Sequence, residues 1–169
     1  MNQHSFRHIV VMGVSGSGKT TVGEALSPLV GLEYRNGDDM HPQANIDKMA
    51  AGIPLNDADR EPWLKKIGQW LADRPEGAMV GCSALKRKYR DLIREYCPAV
   101  VFVHVHGDFD VLHERMQHRP GHFMPASLLQ SQFDTLEPLE EDETGRVFDV
   151  TRPVEELAQE AAAWIKAGA

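Results

Sequence analysis

The sequence predicts one α/β domain, residues 1–169, built on a five-stranded parallel sheet with helices on both faces. Three observations support this prediction. Short apolar runs alternate along the chain with amphipathic segments of helical length. The first apolar run leads directly into a glycine-rich turn, and the run Ala99–Val105 is β-branched and bounded by Pro98 and Gly107. Strands that alternate with helices in this way form parallel sheets buried on both faces.

Each predicted strand is a short apolar run that stops at a turn or at polar residues. The five runs are Ile9–Met12, Leu32–Arg35, Ala78–Ser83, Ala99–Val105 and Arg146–Val150. The first precedes the glycine-rich turn, and the second leads into the acidic stretch G-D-D-M-H-P, residues 37–42. The polar stretch therefore follows a strand end, which is where ligands bind in open α/β sheets.

Helical patterns fill the segments between these strands. The predicted helices are Thr20–Leu29, ending near Pro28, then Leu85–Tyr96, Asp108–His118, Ser127–Leu136 and Pro153–Lys166, together with a helical stretch Pro42–Leu71 broken at Gly52, Pro54 and Pro62. Asp108 is a natural N-cap, and Pro153 suits a first helical turn.

Composition narrows the class of partner. The formal net charge is -7, which argues against a nucleic acid or an anionic membrane as partner, so an anionic ligand needs a local basic cluster. No apolar run approaches the length of a membrane span, and the first residues lack the apolar region of a signal peptide. Cys82 and Cys97 lack C-x-x-C spacing, so we expect reduced thiols in a cytoplasmic protein.

A phosphate-binding loop is the strongest motif in the chain. The stretch G-V-S-G-S-G-K-T, Gly13–Thr20, matches G-x-x-x-x-G-K-[ST] between a predicted strand and a predicted helix. Backbone N–H groups of such a loop converge on phosphate, Lys19 reaches the β- and γ-phosphates, and the Thr20 hydroxyl can bind Mg²⁺. The candidate nucleotide ligands are Gly13, Ser15, Gly16, Ser17, Gly18, Lys19, Thr20 and Thr21.

The loop alone leaves three classes of nucleotide-binding protein open. A GTPase needs a guanine-reading N-K-x-D, which the chain lacks. The stretch S-A-L-K at Ser83–Lys86 is superficially similar to another GTPase element, but alone it is weak evidence. A motor or transporter ATPase needs an acidic residue after an apolar strand, and Asp108 is better explained as an N-cap. The short chain favours the third class, a kinase of small molecules or nucleotides.

Three further blocks make the prediction specific. They are N-G-D-D-M-H-P-Q-A-N-I-D-K-M-A-A-G-I-P-L-N-D-A-D-R-E-P-W-L at Asn36–Leu64, C-S-A-L-K-R-K-Y-R-D-L-I-R at Cys82–Arg94, and H-F-M-P-A-S-L-L-Q-S-Q-F-D-T-L-E at His122–Glu137. Each resembles the corresponding signature of the gluconate kinase family, in the same order. With the phosphate-binding loop these blocks cover most of residues 9–143, which is far more specific than the loop alone.

The resemblance implies both a fold and an activity. The expected fold is a shikimate-kinase-like, P-loop nucleoside-monophosphate-kinase-like three-layer fold with a helical lid at about residues 119–139. The expected activity is Mg²⁺-dependent transfer of phosphate from ATP to the 6-hydroxyl of D-gluconate, in a protein that forms a homodimer. Two alternatives stay open: a shikimate-type kinase of another small polyhydroxy acid, and a non-catalytic nucleotide-binding regulator.

The acidic stretch is the predicted acceptor side. Asp38 follows the second strand, and by resemblance to shikimate-type kinases it is the candidate base that binds the acceptor hydroxyl. Asp39 is a candidate for a substrate contact, a water-mediated Mg²⁺ contact or a helix cap. His41 is a candidate substrate donor or a brace for the loop. One His without Cys is a poor transition-metal site.

Basic residues are the candidates for holding the gluconate carboxylate. Arg60 is the first candidate, because a guanidinium can clamp a carboxylate through two hydrogen bonds. In the basic stretch that follows the third strand, Ser83, Lys86 and Arg90 are the candidates, although most of its charges suit a solvated helix face. Trp63 is better explained as a core residue.

The lid and adenine site rest on two arginines. Arg115 and Arg119 are four residues apart and share a helix face. We expect Arg119 to reach the phosphates during transfer and Arg115 to stack on adenine, with pairing to Glu114 or Asp110 as the alternative. Pro153 is a further candidate for lining the adenine pocket. His122, Gln132 and Glu137 belong to the family motif, and the sequence gives them no role.

Overall fold

The five strands of the computed structural model form one parallel sheet, which confirms the predicted α/β class. The structure describes residues 6–14, 16–117 and 126–168. The strands are β1 His8–Met12, β2 Tyr34–Asn36, β3 Ala78–Gly81, β4 Val101–His106 and β5 Gly145–Asp149. Their order across the sheet is β2-β3-β1-β4-β5. The central strand β1 pairs with β3 and β4, and its residues Ile9–Met12 are fully buried.

Seven helices of the described residues cover this sheet. They are α1 Lys19–Val30, α2 Gln43–Ala50, α3 Asp57–Ala72, α4 Arg87–Tyr96, α5 Phe109–Gln117, α6 Ala126–Thr135 and α7 Val154–Ala167, with a 3₁₀ turn at Gly37–Met40. Helix α1 packs against α7, and α3 packs against α4. Since crossovers between parallel strands are right-handed, these two pairs lie on opposite faces of the sheet. The result is a three-layer arrangement.

Two prolines predicted to end helices lie inside them. Helix α1 continues past the exposed Pro28 to Val30 and ends at Gly31, which has a left-handed φ of 71°. Pro62 lies within α3, because a capping box of Asn56 and Asp59 starts that helix five residues earlier. The second strand was also predicted too early, since β2 is Tyr34–Asn36. The breaks predicted at Gly52 and Pro54 do fall between α2 and α3.

A buried ion pair joins α4 to the segment before β5. The Arg90 guanidinium donates to both carboxylate oxygens of Glu143, at 2.7 and 2.9 Å, and both side chains are fully buried. Arg94 donates to the same carboxylate at 2.6 Å. Arg90 also donates to the carbonyl of Ala84, whose φ of 45° is unusual for a residue with a side chain. Arg90 therefore holds the turn between β3 and α4.

This geometry corrects the prediction that Arg90 binds substrate. Its donors face Glu143, Ala84 and the carbonyl of Pro138, and its side chain is inaccessible. Arg90 lies in a helix whose basic residues suit a solvated face. It is buried because it pairs with the carboxylate of Glu143, which is 53 residues away in the sequence. No local pattern contains that partner.

Replacing Glu143 tests the contribution of this pair. We expect Glu143→Gln to lower the free energy of unfolding by about 3–5 kcal/mol, because it leaves buried Arg90 without a counter-charge. Asp142→Asn is the control: Asp142 pairs with Arg87 but is 68% exposed, so the loss should stay below about 1 kcal/mol. Urea unfolding of both variants measures the difference, and equal losses would contradict the account.

The same pair predicts a dependence of stability on pH. Burial raises the pKa of Glu143, but hydrogen bonds from Arg90 and Arg94 outweigh burial and lower it from 4.5 to about 2. The stabilisation is complete above pH 4.5 and is lost as pH falls from there toward 2. The Gln variant should lack this part of the acid transition.

Candidate active site

The phosphate-binding loop leaves β1 at Met12 and enters α1 at Lys19. Gly13 has a φ of 154°, and a Cβ there would lie 2.5 Å from the Val105 carbonyl oxygen, so glycine is required. The Lys19 ammonium donates to the carbonyls of Gly13 and Val14, at 3.0 and 3.1 Å. Burial lowers the pKa of Lys19, while the charge of Asp38 opposes that shift. The loop thus places a cation at the carboxyl end of the sheet.

One cavity of about 520 Å³ lies on the α7 side of the loop. Its walls come from the loop and α1, from α5, and from the segment that joins β5 to α7. The lining residues are Gly16, Ser17, Gly18, Thr21, Val22, Val111, Glu114, Arg115, Val150, Arg152, Val154 and Leu157. An apolar cavity bordered by backbone N–H groups at a helix N-terminus suits a nucleotide.

Arg115, the residue expected to stack on adenine, borders this space, which we refer to as the nucleotide cavity. Its Nη2 atom donates to the Val150 carbonyl at 3.0 Å, which joins α5 to the segment after β5. Arg152 and Val154 also border the cavity, whereas Pro153 between them is the N-cap of α7. Arg152 could not be predicted from the sequence, because its position beside the loop follows only from the sheet order. Ser15, Arg119 and His122 lie outside the described residues.

A second cavity, of about 500 Å³, lies on the other side of Lys19. It brings together four predicted substrate ligands, Asp38, His41, Arg60 and Ser83. Trp63 also borders it, as do residues of the α2–α3 connection and of α6. Those further residues are Met49, Ala50, Gly52, Ile53, Pro54, Leu55, Leu128, Ser131 and Gln132. We refer to this space as the acceptor cavity.

The two adjacent carboxylates have different surroundings. The 3₁₀ turn begins where the Asn36 side chain accepts from the Asp38 N–H at 3.0 Å. Trp63 donates from Nε1 to the Gly37 carbonyl at 2.8 Å and fixes the same turn. Asp38 borders the acceptor cavity, whereas Asp39 borders a separate surface depression with Arg35. The geometry therefore separates two carboxylates that the sequence left nearly equivalent.

His41 is buried and borders both the acceptor cavity and the depression next to Asp39. It stacks on Trp63 with ring centroids 3.9 Å apart and an interplanar angle of 18°. Burial lowers the pKa of His41, Asp38 raises it and Arg60 lowers it further, so the net direction is below 6.5. The imidazole is therefore neutral at pH 7 and offers one donor and one acceptor.

Arg60 is held in place from one side. Its Nη1 atom donates to the Tyr89 hydroxyl at 3.1 Å, and its guanidinium carbon lies 5.3 Å from the centroid of that ring. The Tyr89 hydroxyl in turn donates to the Asp57 carboxylate. Hydrogen bonds from Lys88 and Tyr89 hold the pKa of Asp57 below its usual range. Tyr89 was missed by the sequence analysis, since an aromatic residue in α4 suits the core equally well.

Lys86, a predicted substrate ligand, and Glu137, which had no predicted role, both receive structural explanations. Lys86 does not border the acceptor cavity; its Nζ atom lies 3.5 Å from the Asp57 carboxylate and 5.7 Å from the Tyr89 ring centroid. Its charge therefore supports the Asp57 network. Glu137 accepts from the Arg87 N–H at 2.9 Å, which satisfies a free donor in the first turn of α4. Glu137 is thus a helix cap supplied from outside the helix.

Comparison with known proteins identifies the relatives of this chain. Residues 9–124 match the family described as "AAA domain". The chain is 43% identical over 155 residues to the thermosensitive gluconokinase of Escherichia coli strain K12. The aligned region covers 89% of this chain and 83% of the relative. It is 49% identical over 140 residues to the gluconokinase of Gluconobacter oxydans strain 621H, and the aligned region covers 81% of this chain and 79% of that relative.

Solved structures give the same result. The crystal structure of a gluconokinase from Sinorhizobium meliloti 1021 superposes with a TM-score of 0.89 at 51% identity, over 96% of this chain and 93% of that one. A shikimate kinase from Acinetobacter baumannii, in complex with shikimate, superposes with a TM-score of 0.57 at 15% identity. This superposition covers 94% of this chain and 92% of that one. The second similarity shows the shared fold alone.

Neither a membrane helix nor a cluster of metal-binding side chains is found in the described part of the chain. Among those residues, every helix is too short or too polar to cross a membrane. The same residues contain no group of three or more His, Cys, Asp or Glu side chains placed to hold a metal ion.

Arg115 offers a test of the nucleotide cavity. We expect Arg115→Met to weaken ADP binding about tenfold, because it removes a cation that borders the base-binding part of the cavity. Titration calorimetry measures the dissociation constant. Arg74→Met is the control, since Arg74 borders neither cavity and bonds instead to Glu33 and the Trp70 carbonyl. An unchanged affinity in the Arg115 variant would move the adenine site elsewhere.

Proposed function

This chain belongs to the gluconokinase family, and we propose that its two cavities bind ATP and D-gluconate for phosphorylation at the 6-hydroxyl. The chain is a kinase: it transfers phosphate from ATP to gluconate and releases ADP. One observation carries the assignment of the site. The phosphate-binding loop borders one cavity, and its Lys19 borders the other together with Asp38, whose charge acts on Lys19.

Phosphoryl transfer requires an acceptor oxygen in line with the γ-phosphate. Asp38 is the carboxylate of the acceptor cavity that lies on the same side as Lys19. In this position it accepts the hydrogen bond of the acceptor hydroxyl, orients it and takes up its proton as the new P–O bond forms. Lys19 neutralises charge on the transferring phosphoryl group.

The gluconate carboxylate needs a local cation, because the protein as a whole carries a charge of -7. Arg60 borders the acceptor cavity, and one Nη atom is already occupied by Tyr89. The rest of its guanidinium is the group we assign to the carboxylate. Ser83, His41 and the α6 residues Ser131 and Gln132 supply polar atoms for the hydroxyls.

Mg²⁺ fits the donor set of the loop. Thr20 is an exposed residue in the first turn of α1, beside Lys19, and its side chain carries a hydroxyl oxygen. Mg²⁺ prefers oxygen ligands and keeps several waters, so one hydroxyl together with ATP phosphates is sufficient. When bound, the ion supplies charge neutralisation at the phosphates. We assign Thr20 as its protein ligand.

The remaining expectations extend this proposal. We propose one domain over residues 1–169 with a lid at about 119–139, in which α6 forms the outer wall of the acceptor cavity. In that lid Arg119 is our candidate for stabilising the transferring phosphate. Family resemblance leads us to propose a homodimer. Buried, unpaired Cys82 and Cys97 suit the reducing cytoplasm.

A coupled ADP-release assay separates this function from the alternatives. We expect turnover with gluconate and only slow background release with shikimate or without acceptor. Turnover with shikimate in place of gluconate would indicate a shikimate-type kinase. Nucleotide binding without turnover on either acceptor would indicate a regulator.

Asp38→Asn is the direct test of the base. The amide keeps the shape but cannot accept the proton, so we expect kcat to fall roughly 10²–10⁴-fold with ADP affinity almost unchanged. Asp39→Asn is the matched control, because Asp39 carries the same group on the next residue but borders a different depression. Wild-type kcat in the Asp38 variant would remove it from the mechanism.

Arg60→Ala tests the carboxylate clamp. We expect the KM for gluconate to rise about 10–100-fold, with a smaller change in kcat, since a charge-assisted hydrogen bond contributes about 1.5–3 kcal/mol. Lys65→Ala removes a cation from the exposed face of the same helix and should leave KM unchanged. If Arg60→Ala also leaves KM unchanged, the clamp belongs to another cation.

A further inference from the structure

Asn45 is a buried polar residue that touches the acceptor cavity only through His41. It lies in the first turn of α2 and is 3% exposed. Its Nδ2 atom lies 2.8 Å from the Asp59 carbonyl oxygen and 3.1 Å from His41 Nδ1. A buried amide with two such contacts fixes the relative positions of α2, α3 and the imidazole.

The chemistry of these contacts determines the direction of each hydrogen bond. The Asp59 carbonyl oxygen can only accept, so the side-chain atom of Asn45 that faces it is the amide nitrogen. That nitrogen has two hydrogens, and the second points to His41 Nδ1. Nδ1 must therefore accept. In a neutral imidazole one nitrogen accepts and the other carries the hydrogen, so the hydrogen of His41 lies on Nε2.

Neighbouring contacts hold His41 and its partners in place. One face of His41 stacks on Trp63, whose own N–H is anchored on the Gly37 carbonyl. Asp59 is fixed in turn: its carboxylate accepts from Lys48 at 2.7 Å and from the Asn56 N–H at 3.0 Å. With Nδ1 occupied by Asn45, Nε2 is the nitrogen left for a ligand in the acceptor cavity.

We propose that Asn45 is a positioning residue that holds His41 as the Nε2–H tautomer, so that this N–H donates to an oxygen of the substrate. The identity of the substrate, a polyhydroxy carboxylate, rests on the proposed function; the tautomer does not. A fixed neutral donor favours an acceptor oxygen at one point of the cavity, which makes Asn45 and His41 determinants of substrate affinity.

Imidazole ¹⁵N NMR measures the tautomer directly in the full-length protein without substrate. At neutral pH we expect His41 to show a pyridine-type Nδ1 and a protonated, pyrrole-type Nε2. A His41 ring with its hydrogen on Nδ1, or a doubly protonated ring, would overturn the proposal. This spectrum needs no turnover, so it stands even if wild-type protein fails to phosphorylate gluconate, a result that would remove only the proposed function.

Asn45→Asp reverses the polarity of the contact with little change of shape. The carboxylate can only accept, so the His41 hydrogen should move to Nδ1 or the ring should gain a proton, and the KM for gluconate should rise about tenfold with kcat changing less than about threefold. Gln43→Glu makes the same chemical change on the exposed face of α2 and should leave both unchanged. An unchanged tautomer and KM in Asn45→Asp would contradict the proposal.

A pair of His41 variants tests the proposal even if the Asn45→Asp variant does not fold. His41→Phe keeps a ring against Trp63 and removes the donor, so KM should rise about tenfold. His41→Gln offers an amide N–H near the position of Nε2, so most of this loss should be recovered. A wild-type KM in the Phe variant, or an equal loss in both variants, would show that the donor does not contact substrate.

Discussion

The common direction of the five strands is the constraint on which the site depends. Because all strands are parallel, β1, β2 and β3 end at one edge, and the segments that follow them meet there. The phosphate-binding loop follows β1, the turn with Asp38 follows β2, and Ser83 follows β3. Lys19 lies between the nucleotide and acceptor cavities as a result. An antiparallel partner for β1 would place one of these segments at the opposite edge.

Helix α3 organises the acceptor side. Its N-cap and first two turns supply the capping box, the Asp59 carbonyl that fixes Asn45, the Arg60 cation and the Trp63 ring. Asp57, its first residue, holds Tyr89 and thereby Arg60. Each contact places one polar atom relative to the cavity. The position of the first two turns of this single helix therefore affects Arg60, the His41 ring and the turn that carries Asp38.

The sequence was sufficient for the element order and for the phosphate-binding loop. It also singled out Asp38, His41, Arg60 and Ser83, which border one cavity, because each follows a strand end or lies in a long motif. It was insufficient for Arg90 and Glu137, whose partners are 53 and 50 residues away. Periodicity places a side chain on a helix face but does not show what packs against that face. Helix α1 ends at Gly31, beyond Pro28, and helix α3 starts at its capping box, before Pro62. Neither proline ends its helix, despite the intrinsic cost of proline within a helix.

The position of the new phosphate ester tests the central claim most directly. Wild-type protein is incubated with ATP, Mg²⁺ and gluconate, and the product is examined by ³¹P–¹H correlation NMR. The arrangement of Arg60 and Asp38 around one cavity predicts a phosphorus signal coupled to the two C6 protons, with ADP formed in equal amount. Phosphate on any other carbon, or inorganic phosphate as the only new phosphorus species, would contradict the account.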